Sequence, residues 1–382
     1  MRKMLILLVL IMCISFSGCS SVSGGDPKTT EASTYLNKEY RVDPPKQQEQ
    51  MLRDLYAVFQ TKVLYFDFNY DAEFFIYDFE TEETQKIGSV SNMLIQCRSF
   101  TCVGDTYYFY ITVRDNRGNK NVLYAVDISD GEMRKVSENR YANMMISLAN
   151  IDGEIYALQG DMVNGLAEPF LERIDENGRA ETVEVIRDNS EVETRLMYIN
   201  DDDGKLYALE RNDYPGNDPA DFRLFFSRYD SDFSCAYTTE ITNIFNGENS
   251  ENYALSGGIA EFHVFGDYFY ILDYSSMGML CKFSEEEDRV EDVFCANALE
   301  LAAKVGDQDS EYFYIRRTND IFRLDTKTGE FEQLHYDTDN ETTGILVMQV
   351  CDGELFIAKR PLDSEKYKTS ETWYLIPTGE PK

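Results

Sequence analysis

Histidine is nearly missing from this chain, with only His263 and His335 among 382 residues. A hydrolase of the Ser-His-Asp kind needs an imidazole placed as base, and both histidines sit in alternating apolar stretches, the usual setting of a structural side chain. Basic residues are scarce beside acidic ones, 36 Lys and Arg against 69 Asp and Glu, which leaves a formal net charge of −33. A surface of that sign repels phosphate backbones at long range, which argues against a nucleic-acid partner. Beyond residue 16 no apolar run approaches the roughly 20 residues that cross a bilayer. Cysteines do not fall in close pairs, so with two histidines no zinc site is supported, and no cofactor motif is present. Calcium-loop spacing is incomplete. Asp67-x-Asn69-x-Asp71 has the ligand rhythm, but Ala72 stands where such a loop needs glycine, and Asp201-Asp202-Asp203-Gly204 reads as a hairpin turn.

What is present begins at the amino terminus. Arg2 and Lys3 precede an apolar run from Met4 to Phe16, followed by Ser17, Gly18 and Cys19. That order is an export signal, and its length of 13 residues is too short for a resident span. Ser17-Gly18-Cys19 resembles the lipobox of bacterial lipoproteins, with Phe16 in place of the usual leucine. The resemblance implies cleavage before Cys19 and lipid on its sulfur, where two or more acyl chains give a stable anchor. The small polar residues that follow read as a tether. The expected organisation is a signal peptide over 1–18, a lipid-anchored tether over 19–37 and a folded domain over 38–382 outside the cytoplasm. Removing Arg2 and Lys3 takes the formal charge to −35.

Six cysteines then remain: Cys97, Cys102, Cys235, Cys281, Cys295 and Cys351. Cys97 and Cys102 share one extended segment, about 16 Å apart at the rise of a strand, too far to bridge. Cys281 and Cys295 flank a hairpin but are offset by about two residues. Most of the six are expected to be buried free thiols.

Internal repetition carries the fold. A tight turn followed by an aromatic strand recurs as Gly104-Asp105-Thr106-Tyr107-Tyr108, Asp152-Gly153-Glu154-Ile155-Tyr156, Asp203-Gly204-Lys205-Leu206-Tyr207, Gly266-Asp267-Tyr268-Phe269-Tyr270, Asp309-Ser310-Glu311-Tyr312-Phe313 and Asp352-Gly353-Glu354-Leu355-Phe356. Val63-Leu64-Tyr65-Phe66 makes a seventh copy without the turn glycine. A second strand and a polar turn come after each, as in Leu123-Tyr124-Ala125-Val126-Asp127-Ile128-Ser129-Asp130-Gly131 and Ile321-Phe322-Arg323-Leu324-Asp325-Thr326-Lys327-Thr328-Gly329. Successive turn markers lie 48, 51, 63, 43 and 43 residues apart. Small antiparallel sheets at a period near 40 to 50 residues are the signature of a β-propeller. The expectation is an all-β, seven-bladed propeller of four-stranded antiparallel blades. The last repeat stops at Trp373-Tyr374-Leu375-Ile376-Pro377 with no fourth strand after it, so closure is expected from the segment around Tyr40-Arg41-Val42.

The Tyr-rich strand followed by Leu-Tyr-x-x-Asp-x-x-x-Gly resembles bacterial lipoprotein propellers classed as a domain of unknown function, which are similar to the repeats of low-density lipoprotein receptor propellers. The resemblance spans roughly residues 50 to 377 and implies a fold without a named activity. The receptor's Tyr-Trp-Thr-Asp signature and the repeated Trp-Asp of other propellers are absent.

Loops after the second strand of each blade share a face with the links between blades, and the insertions gather there: Arg114 to Lys120, Gln159 to Pro169, Arg211 to Asp221 and Arg360 to Thr372. Long loops on a rigid scaffold are where binding tends to reside. Arg114, Arg117, Arg317 and Arg360 offer anion-pairing forks, Tyr214 and Tyr367 stacking surface, and Asp213 a carboxylate. The reading is a non-catalytic propeller for an extracellular glycan, peptide or envelope protein. The alternative is a propeller enzyme acting on extracellular glycans, as a glycoside hydrolase or polysaccharide lyase, whose acid pair is not identifiable among so many carboxylates.

Overall fold

The structure, a computed structural model, describes residues 33–36, 41–42 and most of 52–377; the stretches 140–146, 187–193, 213–222, 243–258, 305–311, 337–342 and 362–370 and some shorter ones lie outside the described residues. Two short strands come first, β1 (Ser33–Leu36) and β2 (Arg41–Val42). Blade 1 is β3 (Leu52–Phe59), β4 (Lys62–Phe68), β5 (Asp71–Asp78) and β6 (Glu83–Ser91). Blade 2 is β7 (Met93–Val103), β8 (Thr106–Asp115), β9 (Gly118–Asp127) and β10 (Glu132–Asn139). Blade 3 is β11 (Ser147–Ile151), β12 (Glu154–Val163), β13 (Leu166–Ile174) and β14 (Ala180–Val183). Blade 4 is β15 (Thr194–Asp202), β16 (Lys205–Asn212), β17 (Leu224–Tyr229) and β18 (Cys235–Glu240). Blade 5 is β19 (Ile259–Phe265), β20 (Tyr268–Asp273), β21 (Met277–Ser284) and β22 (Arg289–Asn297).

Blades 6 and 7 are stitched together. β23 (Leu299–Leu301) is the inner strand of blade 6, beside β25 (Tyr312–Arg317), β26 (Asp320–Asp325) and β27 (Phe331–Tyr336). Between them β24 (Ala303–Lys304) crosses over and pairs in parallel with β28 (Thr343–Cys351) of blade 7, which continues through β29 (Glu354–Pro361) and β30 (Thr372–Pro377). At the outer edge β2 supplies the missing fourth strand of blade 7, with Arg41 opposite Tyr374 and Val42 opposite Trp373. The amino-terminal segment therefore closes the ring, as the repeats imply. β1, within the stretch assigned to the tether, instead adds a fifth strand to blade 6, parallel to β27.

The recurring aromatic strand is the second strand of every blade, and its alternation decides the packing. Successive side chains point to opposite faces, so Phe109 faces blade 1 while Tyr110 faces blade 3, and Tyr207 faces blade 5 while Ala208 faces blade 3. Seven apolar clusters result, one at each junction between neighbouring blades. Between blades 4 and 5, Phe226 stacks on Phe269 with centroids 4.5 Å apart. At the closing junction of blades 7 and 1, Trp373 is fully buried among Tyr65, Tyr77 and Phe356.

The described turns on one face are short and polar. Asp152-Gly153 and Asp203-Gly204 have positive φ at both residues, the mirror-image turn whose twist suits a tight hairpin. The aspartate of the Leu-Tyr-x-x-Asp repeat caps the turn between third and fourth strands: Asp127 Oδ1 accepts from Ser129 and Asp130, and Asp325 Oδ1 from Lys327 and Thr328. The Ser129 hydroxyl bond holds the Asp127 carboxyl below its ordinary range, and the Thr328 amide does the same for Asp325. Other carboxylates and amides reach across to a neighbouring blade. Asp201 accepts from the Asn150 amide, Asp202 from Gly266 and Asn200 from Val264, each at 2.8 Å. The acidic run 201–203 is thus turn and inter-blade cap.

Candidate functional site

Alternation in the second strands breaks at their loop-rich ends, where a polar or charged residue replaces the expected apolar one and is nevertheless buried. These are Asp67 in β4, Gln159 in β12, Glu210 in β16, Arg316 in β25 and Lys359 and Arg360 in β29. In blade 2, Thr112 in β8 donates to Asn121 of β9 at 2.7 Å. A buried polar group is costly without a partner, and the bonds are present. Gln159 donates to Glu172 at 2.5 Å and to Tyr110 of blade 2 at 3.4 Å. Glu210 accepts from Thr194 at 2.5 Å and from the Tyr229 hydroxyl. Burial pushes the Glu172 carboxyl above its ordinary range. Six of the seven blades thus contribute to a polar belt just beneath the loop-rich face.

Blade 7 holds its strongest member. Arg360 donates from Nε to Glu371 Oε1 at 2.7 Å and approaches it through Nη2 at 2.5 Å, while Trp373 Nε1 donates to Glu371 Oε2 at 2.9 Å. Arg360 and Glu371 are each 7% exposed. The guanidinium fork expected to face a ligand is engaged by Glu371 inside the protein.

The expected loops are not all loops. Residues 114–120 continue the ladder of β8 and β9 through Asp115 opposite Gly118, and residues 159–169 continue β12 and β13 through Val163 opposite Leu166. Both are hairpins that rise from blades 2 and 3. Measured from their turns, β8 and β12 run two to four residues further than β16, β20, β25 and β29, roughly 7 to 13 Å at the rise of a strand. Arg114 is exposed on the blade 2 hairpin, whose base is fixed where the Arg114 amide donates to Asn92 at 3.0 Å. Arg117, Asp213, Tyr214 and Tyr367 lie outside the described residues, as does the side chain of Arg317. The belt escaped the sequence reading, although its signal was there: a charged residue ending an alternating run, as in Ala208-Leu209-Glu210 and Tyr314-Ile315-Arg316.

His263 lies on β19, the inner strand of blade 5, with its ring against Tyr270. Burial lowers its pKa to about 4. The native state therefore keeps it neutral while the unfolded chain takes up a proton below pH about 6.5, so stability should fall as pH drops from there to about 4. Because part of the residue reaches solvent, the loss is at most roughly 3 kcal/mol. Denaturant unfolding at pH 7 and 4.5 checks this: the wild type should lose more than His263→Gln, and parallel losses would refute the assignment. Among the described residues no three His, Cys, Asp or Glu come together in a way that could hold a metal ion. The free cysteines among them are Cys102 and Cys281, both buried, and the half-buried Cys235.

No protein-family model matches the chain, and no curated protein matches its sequence. Solved structures resemble it in architecture. The β-propeller domain of Cps50 (Swd1) from Myceliophteria thermophila is 12% identical, covers 81% of this chain and 93% of its own, and has a TM-score of 0.46. Polysaccharide lyase Uly1 is 8% identical over 85% of this chain and 90% of its own, with a TM-score of 0.47. A prolyl endopeptidase is 12% identical over 82% of this chain, with a TM-score of 0.39, and this chain covers 55% of that enzyme's length. The seven sheets define the propeller here, and likeness at this level says nothing about chemistry.

Proposed function

We propose that this protein is a lipid-anchored, extracytoplasmic propeller that binds an extracellular glycan, peptide or envelope protein on its loop-rich face without altering it chemically. The observation that carries the reading is the difference between the two faces. On one, the described turns are short, and those after Asp78, Asp127, Asp175 and Asp325 are capped by their own aspartates. On the other, hairpins from blades 2 and 3 reach beyond the ends of the other described second strands, and a buried polar belt fixes the strand ends beneath them. Stability alone does not require raised hairpins, because a two-residue turn closes the same ladder. The Arg114 guanidinium and the exposed Asn116 at the blade 2 tip supply polar contacts.

The test is a binding screen on an array of purified extracellular polysaccharides and peptides. Asn-Gly turns in place of residues 114–119 and 161–168 should lower retention of the best array ligand at least about tenfold, the loss of one or two good polar contacts, with an unchanged melt. Retention that survives both replacements, or turnover of the bound polymer, would overturn the reading.

A further inference from the structure

We propose that the anchored ring is held with its loop-rich face away from the membrane, so that the hairpins of blades 2 and 3, the farthest-reaching of the described second-to-third-strand connections, point outward and meet partners approaching from outside. The inference rests on the lipid anchor of the preceding reading and adds an orientation to it. It follows from the direction of β1. The turn 326–330 joins β26 to β27 on the minimal-turn face, so β27 runs from that face toward the loop-rich one. β1 is parallel to it, with Ser33 opposite Leu334 and Leu36 opposite Tyr336. The chain before Ser33 therefore leaves the rim of blade 6 heading toward the minimal-turn face.

Ring order supplies the second half of the argument. With the blades in chain order around a closed ring of seven, blades 2 and 3 are the two farthest from blade 6. The raised hairpins are opposite the point of chain entry across the ring, and on the other face as well. From Cys19 to Ser33 the chain has 14 steps, and a flexible linker of that length spans roughly 20 Å. Turning the ring over would carry the chain's exit to the far side by roughly 25 Å, the height of an eight-residue strand, which stretches that linker well beyond its resting span.

Charge sets the clearance. The minimal-turn face carries exposed carboxylates in nearly every described turn, among them Glu80, Asp105, Asp130, Asp203, Asp267 and Glu286. Anionic headgroups repel such a face within a Debye length of about 10 Å, so the ring stands off the bilayer at the tether's length and does not lie on it.

The experiment uses full-length, lipidated protein in vesicles of phosphatidylcholine with phosphatidylglycerol, with an acceptor dye on a headgroup. A donor dye is coupled to an azide-bearing residue at Lys327, in the blade 6 turn, or at Asn116, at the blade 2 hairpin tip; both positions are exposed. Energy transfer should be several-fold more efficient from Lys327. Equal transfer, or more from Asn116, overturns the orientation. Replacing residues 33–36 with Gly and Ser should bring the two efficiencies together while the protein still floats with the vesicles, and an unchanged difference would show that β1 does not set the orientation. Cys19→Ala should abolish flotation; if it floats and its mature mass is unchanged, the anchor reading fails on its own, separately from the orientation.

Discussion

Glu371→Gln is expected to destabilise the fold by about 3–5 kcal/mol, since it leaves the Arg360 charge buried without its carboxylate. The site amplifies the loss. Glu371 directly precedes β30, and its second oxygen accepts a hydrogen bond from the Trp373 indole N–H, so the pair braces the blade face that packs on Tyr65 of blade 1. The substituted amide can still accept from the indole, which isolates the charge as the cause. Arg360→Met combined with Glu371→Gln should recover most of the loss, because a buried pair replaced as a unit costs little beyond its packing. Urea unfolding of the three variants checks this. A single substitution that costs under about 1 kcal/mol, or a double no better than the single, would show that the pair is not the brace described.

Removing residues through Asp43 should have the second large effect. The truncation deletes β2, the fourth strand of blade 7, and β1, the fifth strand of blade 6. Unpaired amides and carbonyls of β30 and β27 would then lie open at two neighbouring edges, a template for other chains. A lower melting temperature and concentration-dependent aggregation are expected, by scanning calorimetry and light scattering. Truncation through residue 37 alone separates the parts: it uncovers blade 6 but leaves blade 7 closed, so it should melt close to the full domain. If the longer truncation also melts unchanged, these strands do not close the ring.

The site was less legible than the fold. The insertions were visible as lengths between strands, but nothing in Arg114 to Lys120 or Gln159 to Pro169 said that the backbone would keep pairing instead of opening into loops. Whether a hairpin keeps pairing is settled by its neighbours as well as by its own turn: Asp115 stays paired with Gly118 while the Arg114 amide is held by Asn92 of the preceding strand link. Arg360 reads in isolation as a free fork, and only the placement of Glu371 eleven residues later makes it an internal one.

By itself the sequence determined the class, the blade number and the closing segment, because each is written in local chemistry. Asp-Gly turns demand positive φ, Tyr-rich alternation demands two packed faces, and a seventh repeat without a fourth strand demands a donor from elsewhere. Tertiary structure alone decided the stitching of blades 6 and 7 by β24 and β1, the buried belt, and the opposition of chain entry and raised hairpins. These depend on which blade ends beside which once the ring closes, and on the desolvation that closure imposes on charges a linear chain leaves in water.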